Sequence, residues 1–160
     1  MYKVGIVGAG FVGRRRAAVA KAHPETEVAL VYDMQEEVAA GVVGACGGRV
    51  ADSWEALVAT DLDIVVVATT HDALAEISTA ALKAGKHVLC EKPLGRNPGE
   101  GQMAVAAAAE SGKVLKVGYN HRYHPAIQKV YEVCHAGEIG PLMSVRGRYG
   151  HGGRPGYDRE

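Results

Sequence analysis

The chain has 160 residues, of which 18 are basic and 18 acidic, so its formal net charge is zero. A balanced charge gives no electrostatic reason to expect nucleic acid or an anionic membrane surface as a partner. The length suits one domain of about 100–150 residues with a short appendage, and no apolar run reaches the roughly 20 residues that cross a bilayer. The three cysteines are odd in number and widely spaced. This pattern argues against a disulfide framework and predicts a reduced, cytoplasmic protein.

Short runs rich in β-branched residues alternate with alanine-rich stretches of helical pattern along the first 120 residues. The predicted strands are residues 3–8, 27–33, 48–51, 62–69, 87–91 and 114–120. The predicted helices are residues 14–23, 35–43, 53–58, 72–85 and 99–112, with Ser53 as a cap. This alternation predicts an α/β fold, a doubly wound parallel sheet of the Rossmann type with helices on both faces.

The composition changes after about residue 120. Residues 124–141 predict an amphipathic helix, residues 142–150 alternate like a half-exposed antiparallel strand, and residues 151–160 are typical of a loop. A lone strand cannot form a sheet. We therefore expect one domain over residues 1–120, and over residues 121–160 the beginning of an α+β second domain whose remainder lies outside this sequence.

The string GAGFVG matches the G-x-G-x-x-G pattern through Gly8, Gly10 and Gly13. It follows the first predicted strand and opens a helix, and Asp33 lies about 20 residues further on, at the end of the second strand. Gly8 permits a tight turn, Gly10 lets a pyrophosphate approach the backbone, and Gly13 lets the helix pack closely on the strand. The phosphate charge would then rest on free N–H groups at the helix start.

The residues around this loop bear on which dinucleotide binds. The Asp33 carboxylate can accept hydrogen bonds from the adenosine ribose hydroxyls and would repel a 2′-phosphate, which favours NAD. The arginine run 14–16 leaves NADP open, because one guanidinium could reach a 2′-phosphate. Alternatively, the run is a solvated helix face near the phosphates. Phe11 and Val12 belong to the same loop and are counted among the cofactor-binding residues.

The segment HVLCEKPLG (87–95) ends an apolar strand in Glu91 and Lys92, directly before Pro93. In the strand order 3-2-1-4-5-6, ligands bind outside the carboxyl ends of the strands, so this turn faces the nicotinamide half of the crevice. The proline fixes the turn and is compatible with a cis bond. A lysine there can bond a substrate hydroxyl and stabilise the oxygen as it becomes negative. The alternative is a surface ion pair between the two neighbours, which would contribute little.

Four segments (GIVGAGFVG, VVVAT, ALKAGKHVLCEKPLG and VGYNHRYHPAI) occur in the order and spacing of the Gfo/Idh/MocA family, which comprises glucose–fructose oxidoreductase, inositol dehydrogenase and MocA-like proteins. The chain resembles this family from about residue 3 to residue 150. The resemblance implies that the glycine loop binds NAD or NADP, that Lys92 contacts the substrate and assists proton movement, and that Glu91 lies in the cofactor pocket. It also places further residues along the cofactor: Thr69, Thr70, His71 and Asn120. Thr70 and His71 depart from the family's usual T-P-N segment.

The resemblance also sets the expected function. Family members are longer, and their second domain supplies an open sheet, an aspartate and an acid–base histidine, and the usual subunit interface. We expect an NAD(P)-dependent oxidoreductase that moves hydride between the nicotinamide and a sugar, polyol or related secondary alcohol, homo-oligomeric in its full-length form. This chain would supply the cofactor-binding half and be inactive alone. The alternative is a non-catalytic dinucleotide-binding module or sensor.

His121 and His124 form an H-x-x-H pair that could suggest a metal. The spacing lacks a third ligand and falls on a loop that enters a helix. We therefore expect no metal site, and favour stacking or hydrogen bonding by these histidines near the nicotinamide.

Overall fold

The computed structural model describes residues 1–150. Six strands form one sheet in the order β3-β2-β1-β4-β5-β6, and every neighbouring pair is parallel. The strands are β1 Tyr2–Val7, β2 Thr26–Tyr32, β3 Arg49–Val50, β4 Ile64–Val67, β5 His87–Cys90 and β6 Leu115–Val117. The predicted doubly wound sheet and its strand order are confirmed.

Five helices connect the strands: α1 Phe11–Ala22, α2 Glu36–Cys46, α3 Trp54–Ala59, α4 Leu74–Lys83 and α5 Pro98–Ser111. Ser53 caps α3 as predicted, because its hydroxyl accepts a hydrogen bond from the Ala56 N–H at 3.1 Å. Asn97 caps α5 in the same way through the Glu100 N–H, at 3.0 Å. No helix among residues 1–150 is long and apolar enough to cross a bilayer.

The apolar run of β4 is explained by burial on both faces of the sheet. Val65 and Val67 belong to a core shared with α3, α4 and α5, whereas Val66 belongs to a core shared with α1 and α2. Because side chains alternate along a strand, a strand in the middle of a doubly covered sheet must be apolar at every position. β4 therefore lies beside β1 at the centre of the sheet, where the strand order changes direction.

The chain divides into two units, Met1–Tyr119 and Asn120–Glu160. In the second unit the structure describes a short 3₁₀-helix, Asn120–Tyr123, followed by α6, Pro125–His135. The apolar side chains of α6 are largely exposed, with Ile127 at 51%, Val130 at 60% and Tyr131 at 62%.

Residues 142–150 do not form the strand that their alternating pattern predicted, and this prediction was wrong. The structure gives this segment no backbone hydrogen bond to any other part of residues 1–150. A strand exists only when its N–H and C=O groups pair with a neighbouring strand, and alternation of side chains alone cannot supply that neighbour. The predicted loop 151–160 lies outside the described residues.

Candidate functional site

The glycine loop joins β1 to α1. At two of its glycines, Gly8 and Gly13, the surrounding backbone leaves no room for a side chain. Gly8 has a positive φ of +89°, and a Cβ there would lie 2.5 Å from the Ala68 carbonyl oxygen. A Cβ on Gly13 would lie 1.8 Å from the Gly8 carbonyl oxygen. Gly10, by contrast, would place its Cβ more than 4 Å from any other atom considered, at the N-terminal cap of α1. The loop therefore fits a pyrophosphate, with open space directly over the first N–H groups of the helix.

Asp33 lies at the end of β2 and bonds the glycine loop. Its Oδ2 accepts a hydrogen bond from the Ala9 N–H at 2.7 Å, and its Oδ1 accepts one from the Gln35 N–H at 3.0 Å. An ionised carboxylate accepts about four hydrogen bonds, so acceptor positions remain for ribose hydroxyls. The half-buried carboxylate thus belongs to the same local structure as the loop.

Thr69, Thr70 and His71 form the loop after β4, beside the glycine loop. The Ala68 N–H donates to the Val7 carbonyl at 2.7 Å, which brings the ends of β4 and β1 together. The Thr69 hydroxyl donates to the Thr70 carbonyl at 3.2 Å. The Thr70 side chain hydrogen-bonds Asp72 and thereby holds the pKa of that carboxyl below its ordinary value. His71 is exposed.

Glu91 and Lys92 follow β5, the strand next to β4. Glu91 does not pair with its neighbour; its Oε1 accepts hydrogen bonds from Nε of Arg16, at 2.8 Å, and from Nη2 of the same guanidinium. Lys92 is exposed and makes no hydrogen bond or ion pair with the residues that the structure describes. Its peptide bond to Pro93 is cis. The amine of Lys92 is therefore available at the carboxyl end of the sheet.

The three arginines of the run 14–16 have different surroundings. Nε of Arg14 donates to the Ala9 carbonyl at 3.2 Å, and the guanidinium carbon of Arg15 lies 4.4 Å from the centre of the Phe11 ring. Both arginines are exposed, as expected for a solvated face, but Arg16 is half-buried against Glu91. The sequence does not reveal this pair, because its members are 75 positions apart and no local pattern connects them.

Asn120 begins the 3₁₀-helix of the second unit, so the predicted site residues fall into both units. Within that unit the rings of His121 and Tyr149 pack edge-on, with their centres 5.3 Å apart. His124 caps α6, because its Nδ1 accepts a hydrogen bond from the Ala126 N–H at 3.2 Å. Residues 1–150 contain no group of three side chains suited to hold a metal ion.

The fold and the glycine loop together define a Rossmann domain of the dinucleotide-binding class. Residues 2–119 match the Gfo/Idh/MocA family, described as an oxidoreductase family with an NAD-binding Rossmann fold. The chain belongs to this family.

Two curated relatives act on alcohols according to their names. The chain is 32% identical to levoglucosan dehydrogenase of Pseudarthrobacter phenanthrenivorans, with 91% of the chain and 40% of the relative covered. It is 33% identical to inositol 2-dehydrogenase 3 of Saccharopolyspora erythraea, with 89% and 43% covered. The chain thus spans less than half the length of these relatives.

Two solved structures show the same fold with a cofactor bound. GenD2 from gentamicin A biosynthesis, in complex with NAD, is 34% identical with a TM-score of 0.81, over 86% of this chain and 40% of that one. Biliverdin reductase from Synechocystis sp. PCC 6803, in complex with biliverdin and NADP⁺, is 32% identical with a TM-score of 0.79, over 88% and 44%. One of these two similar proteins was therefore solved with NAD and the other with NADP⁺.

Proposed function

We propose that the chain is the cofactor-binding part of an oxidoreductase that moves hydride between a nicotinamide dinucleotide and a secondary alcohol of a sugar or polyol. The observation that carries the proposal is the joint structure of the glycine loop and Asp33 at the start of α1. The backbone leaves room only for glycine at positions 8 and 13, and Gly10 leaves open space. The Asp33 carboxylate bonds the N–H of Ala9 in the same loop. The names of the two curated relatives support the substrate class.

Within this proposal the residues divide into two groups. The dinucleotide, when bound, supplies the atom that accepts or gives the hydride. Its binding falls to the glycine loop and the start of α1, and to residues that follow β2, β4 and β5: Gly8, Gly10, Phe11, Val12, Gly13, Asp33, Thr69, Thr70, His71 and Glu91. Lys92 would orient the substrate oxygen and help to move its proton. The exposed amine of Lys92 at the carboxyl end of the sheet, which makes no hydrogen bond or ion pair with residues 1–150, supports that role.

NAD is the proposed cofactor in preference to NADP. The Asp33 carboxylate would repel a 2′-phosphate at the ribose. Of the arginines that could have offset this repulsion, Arg16 is held by Glu91. Arg14 and Arg15 are exposed, so a 2′-phosphate of NADP would have to be bound by one of these two guanidinium groups.

The proposal extends to the partners and the location of the protein. The zero formal charge supports a small-molecule partner over nucleic acid or a membrane surface. The odd, widely spaced cysteines support a cytoplasmic location. A full-length form, with its second domain, would be a homo-oligomer.

Titration of the 160-residue chain with NADH, followed by nicotinamide fluorescence, tests the binding site. The critical variant is Gly10→Thr. Position 10 has a φ of −66° that any residue adopts, and threonine caps a helix about as well as glycine. We expect Gly10→Thr to melt like the wild type and to lose NADH binding, because its side chain fills the pyrophosphate space. Wild-type chain that does not bind NADH would refute the proposal.

The variant Lys92→Met distinguishes the enzyme hypothesis from the alternative of a non-catalytic binding module. In a form that carries the whole second domain, we expect this variant to lose turnover and to keep NADH binding. Unchanged turnover would remove Lys92 from the mechanism. Robust NADH production by the 160-residue chain itself, on a panel of polyols with NAD, would show that the chain is neither an inert module nor dependent on the second domain.

A further inference from the structure

The ion pair between Arg16 and Glu91 connects the first helix to the turn after β5. Arg16 lies in α1, in the helix that the glycine loop opens, and Glu91 directly precedes Lys92. The side chains are 30% and 12% exposed, respectively, so both are largely withdrawn from water. Two N–H groups of the Arg16 guanidinium donate to a single carboxylate oxygen, and both hydrogen bonds are charge-assisted.

Gly118 lies close to the same carboxylate. Its N–H donates to the Cys90 carbonyl at 2.8 Å, which places it beside the end of β5. A Cβ on Gly118 would lie 2.8 Å from Glu91 Oε2 and 3.0 Å from Oε1. The carboxylate therefore occupies the space that any side chain at position 118 would need.

The backbone of Glu91 is fixed as well, since its N–H donates to the Val67 carbonyl of β4 at 2.8 Å. Glu91 is thus held by α1 and β4 and lies close to Gly118 at the end of β6, while the next residue, Lys92, has no partner of its own among the described residues.

We propose that Arg16 is a positioning residue that holds Glu91, and through it the turn 91–95, in place at the nicotinamide half of the crevice. The inference rests on the proposed function. Without the guanidinium, a largely buried carboxylate would lose its one charged partner among residues 1–150. It would then rotate toward water, and the backbone of residues 91–95 would move with it. Lysine could not replace arginine fully, because an ammonium is a point charge without the planar fork.

The test compares Arg16→Met with Lys21→Met in the full 160-residue chain. Both variants remove one positive charge from the same helix, but Lys21 lies in the last turn of α1 and its Nζ donates only to the Ala45 carbonyl among the described residues, at 2.6 Å. NADH binding is followed by fluorescence and ADP-ribose binding by calorimetry. ADP-ribose lacks the nicotinamide ring, so comparison of the two ligands isolates the half of the site near Glu91.

We expect Arg16→Met to weaken NADH binding about tenfold, the loss typical of one charge-assisted hydrogen bond, and to change ADP-ribose binding less than about twofold. Lys21→Met should bind both ligands as the wild type does. Equal weakening of both ligands in Arg16→Met would show a purely structural role and overturn the inference, as would unchanged NADH binding. Wild-type chain that binds neither ligand would instead refute the proposed function, and the inference with it.

Gly118→Ala keeps the test decisive if Arg16→Met unfolds. This variant retains every charge, but its methyl group displaces the Glu91 carboxylate, which is the mobile end of a side chain. We expect the same selective loss of NADH affinity. In the double variant the two losses should be less than additive, because both act through Glu91. Full NADH affinity in a folded Gly118→Ala chain would overturn the inference.

Discussion

The Asp33 carboxylate accepts a hydrogen bond of 2.7 Å from the backbone N–H of Ala9, the residue between the first two glycines of the loop. A side chain at the end of β2 thus fixes the turn that follows β1. The carboxylate proposed to recognise the ribose also shapes the loop proposed to hold the pyrophosphate. Cofactor choice and loop geometry are therefore coupled at one residue.

Two substitutions of Asp33 should separate these roles. Asp33→Asn removes the charge but keeps an acceptor for the Ala9 N–H, so the affinity for NADPH relative to NADH should rise about tenfold. Asp33→Ala loses the acceptor too and should weaken both cofactors. Fluorescence titration with each reduced cofactor measures the ratio. Glu110→Gln is the control. It also removes one negative charge, but from an exposed side chain in α5, and should leave the ratio unchanged.

The coupling would be disproved if Asp33→Asn bound both cofactors in the wild-type ratio. Tighter binding of NADPH than NADH by the wild type would show that the exposed arginines of α1 outweigh the carboxylate.

Gly13 is required by packing, independently of any ligand. A methyl group there would lie 1.8 Å from the Gly8 carbonyl oxygen, which is backbone and cannot move without opening the turn. We expect Gly13→Ala to lower the free energy of unfolding by about 3 kcal/mol or more. Gly44→Ala is the matched control, because Gly44 lies in α2 with open space around its Cβ position. The control should gain about 0.5–1 kcal/mol from helix propensity.

Urea denaturation of the two variants measures both changes. Equal stability of Gly13→Ala and the wild type would mean that helix and strand are not packed as closely as the structure shows.

The sequence predicted the strands and the glycine loop because each depends on local pattern, and the strand order followed from the doubly wound fold that their alternation with helices indicates. The apolar run around β4 and the turn glycines are visible within a few residues. The Arg16–Glu91 pair was not predictable, since it joins a helix to a strand end across 75 positions. The strand predicted for residues 142–150 is the reverse case, because the local pattern is present and the structure is not. Their alternation is a true strand pattern, but strand formation requires a neighbour that no pattern within the segment can supply.

Cys90 should be the least reactive of the three thiols. Burial raises the pKa of the Cys90 thiol, because the charged thiolate is poorly solvated in the core. Cys46 and Cys134 are only half-buried. We expect iodoacetamide at pH 8 to alkylate Cys46 and Cys134 in the folded chain, and Cys90 only after unfolding in urea, as read by mass spectrometry.

The same pKa shift predicts a pH dependence with a definite sign. Above the ordinary thiol pKa of about 8.5, the unfolded chain loses the Cys90 proton while the folded chain keeps it. Stability should therefore fall as the pH rises through that value, and the Cys90→Ala variant should show a smaller fall. Rapid alkylation of Cys90 in the folded chain would contradict the burial of this thiol.

Residues 142–150 should exchange their amide hydrogens as freely as an unstructured peptide. The structure gives them no backbone hydrogen bond to the rest of residues 1–150. Ile64–Val67, in contrast, is paired on both sides within the sheet and lies between two helical layers. Hydrogen exchange followed by mass spectrometry on the dilute chain should show β4 exchanging roughly 10³-fold or more slowly than the tail segment.

Concentration provides the control for this prediction. The N–H and C=O groups of residues 142–148 make no backbone hydrogen bond with the described residues, so at high concentration this segment can pair with another copy and become protected. Protection that grows with concentration would indicate such intermolecular pairing and would agree with an unpaired segment in the monomer. Strong protection of 142–150 in the dilute monomer would contradict the prediction, because it would require hydrogen bonds within the same chain.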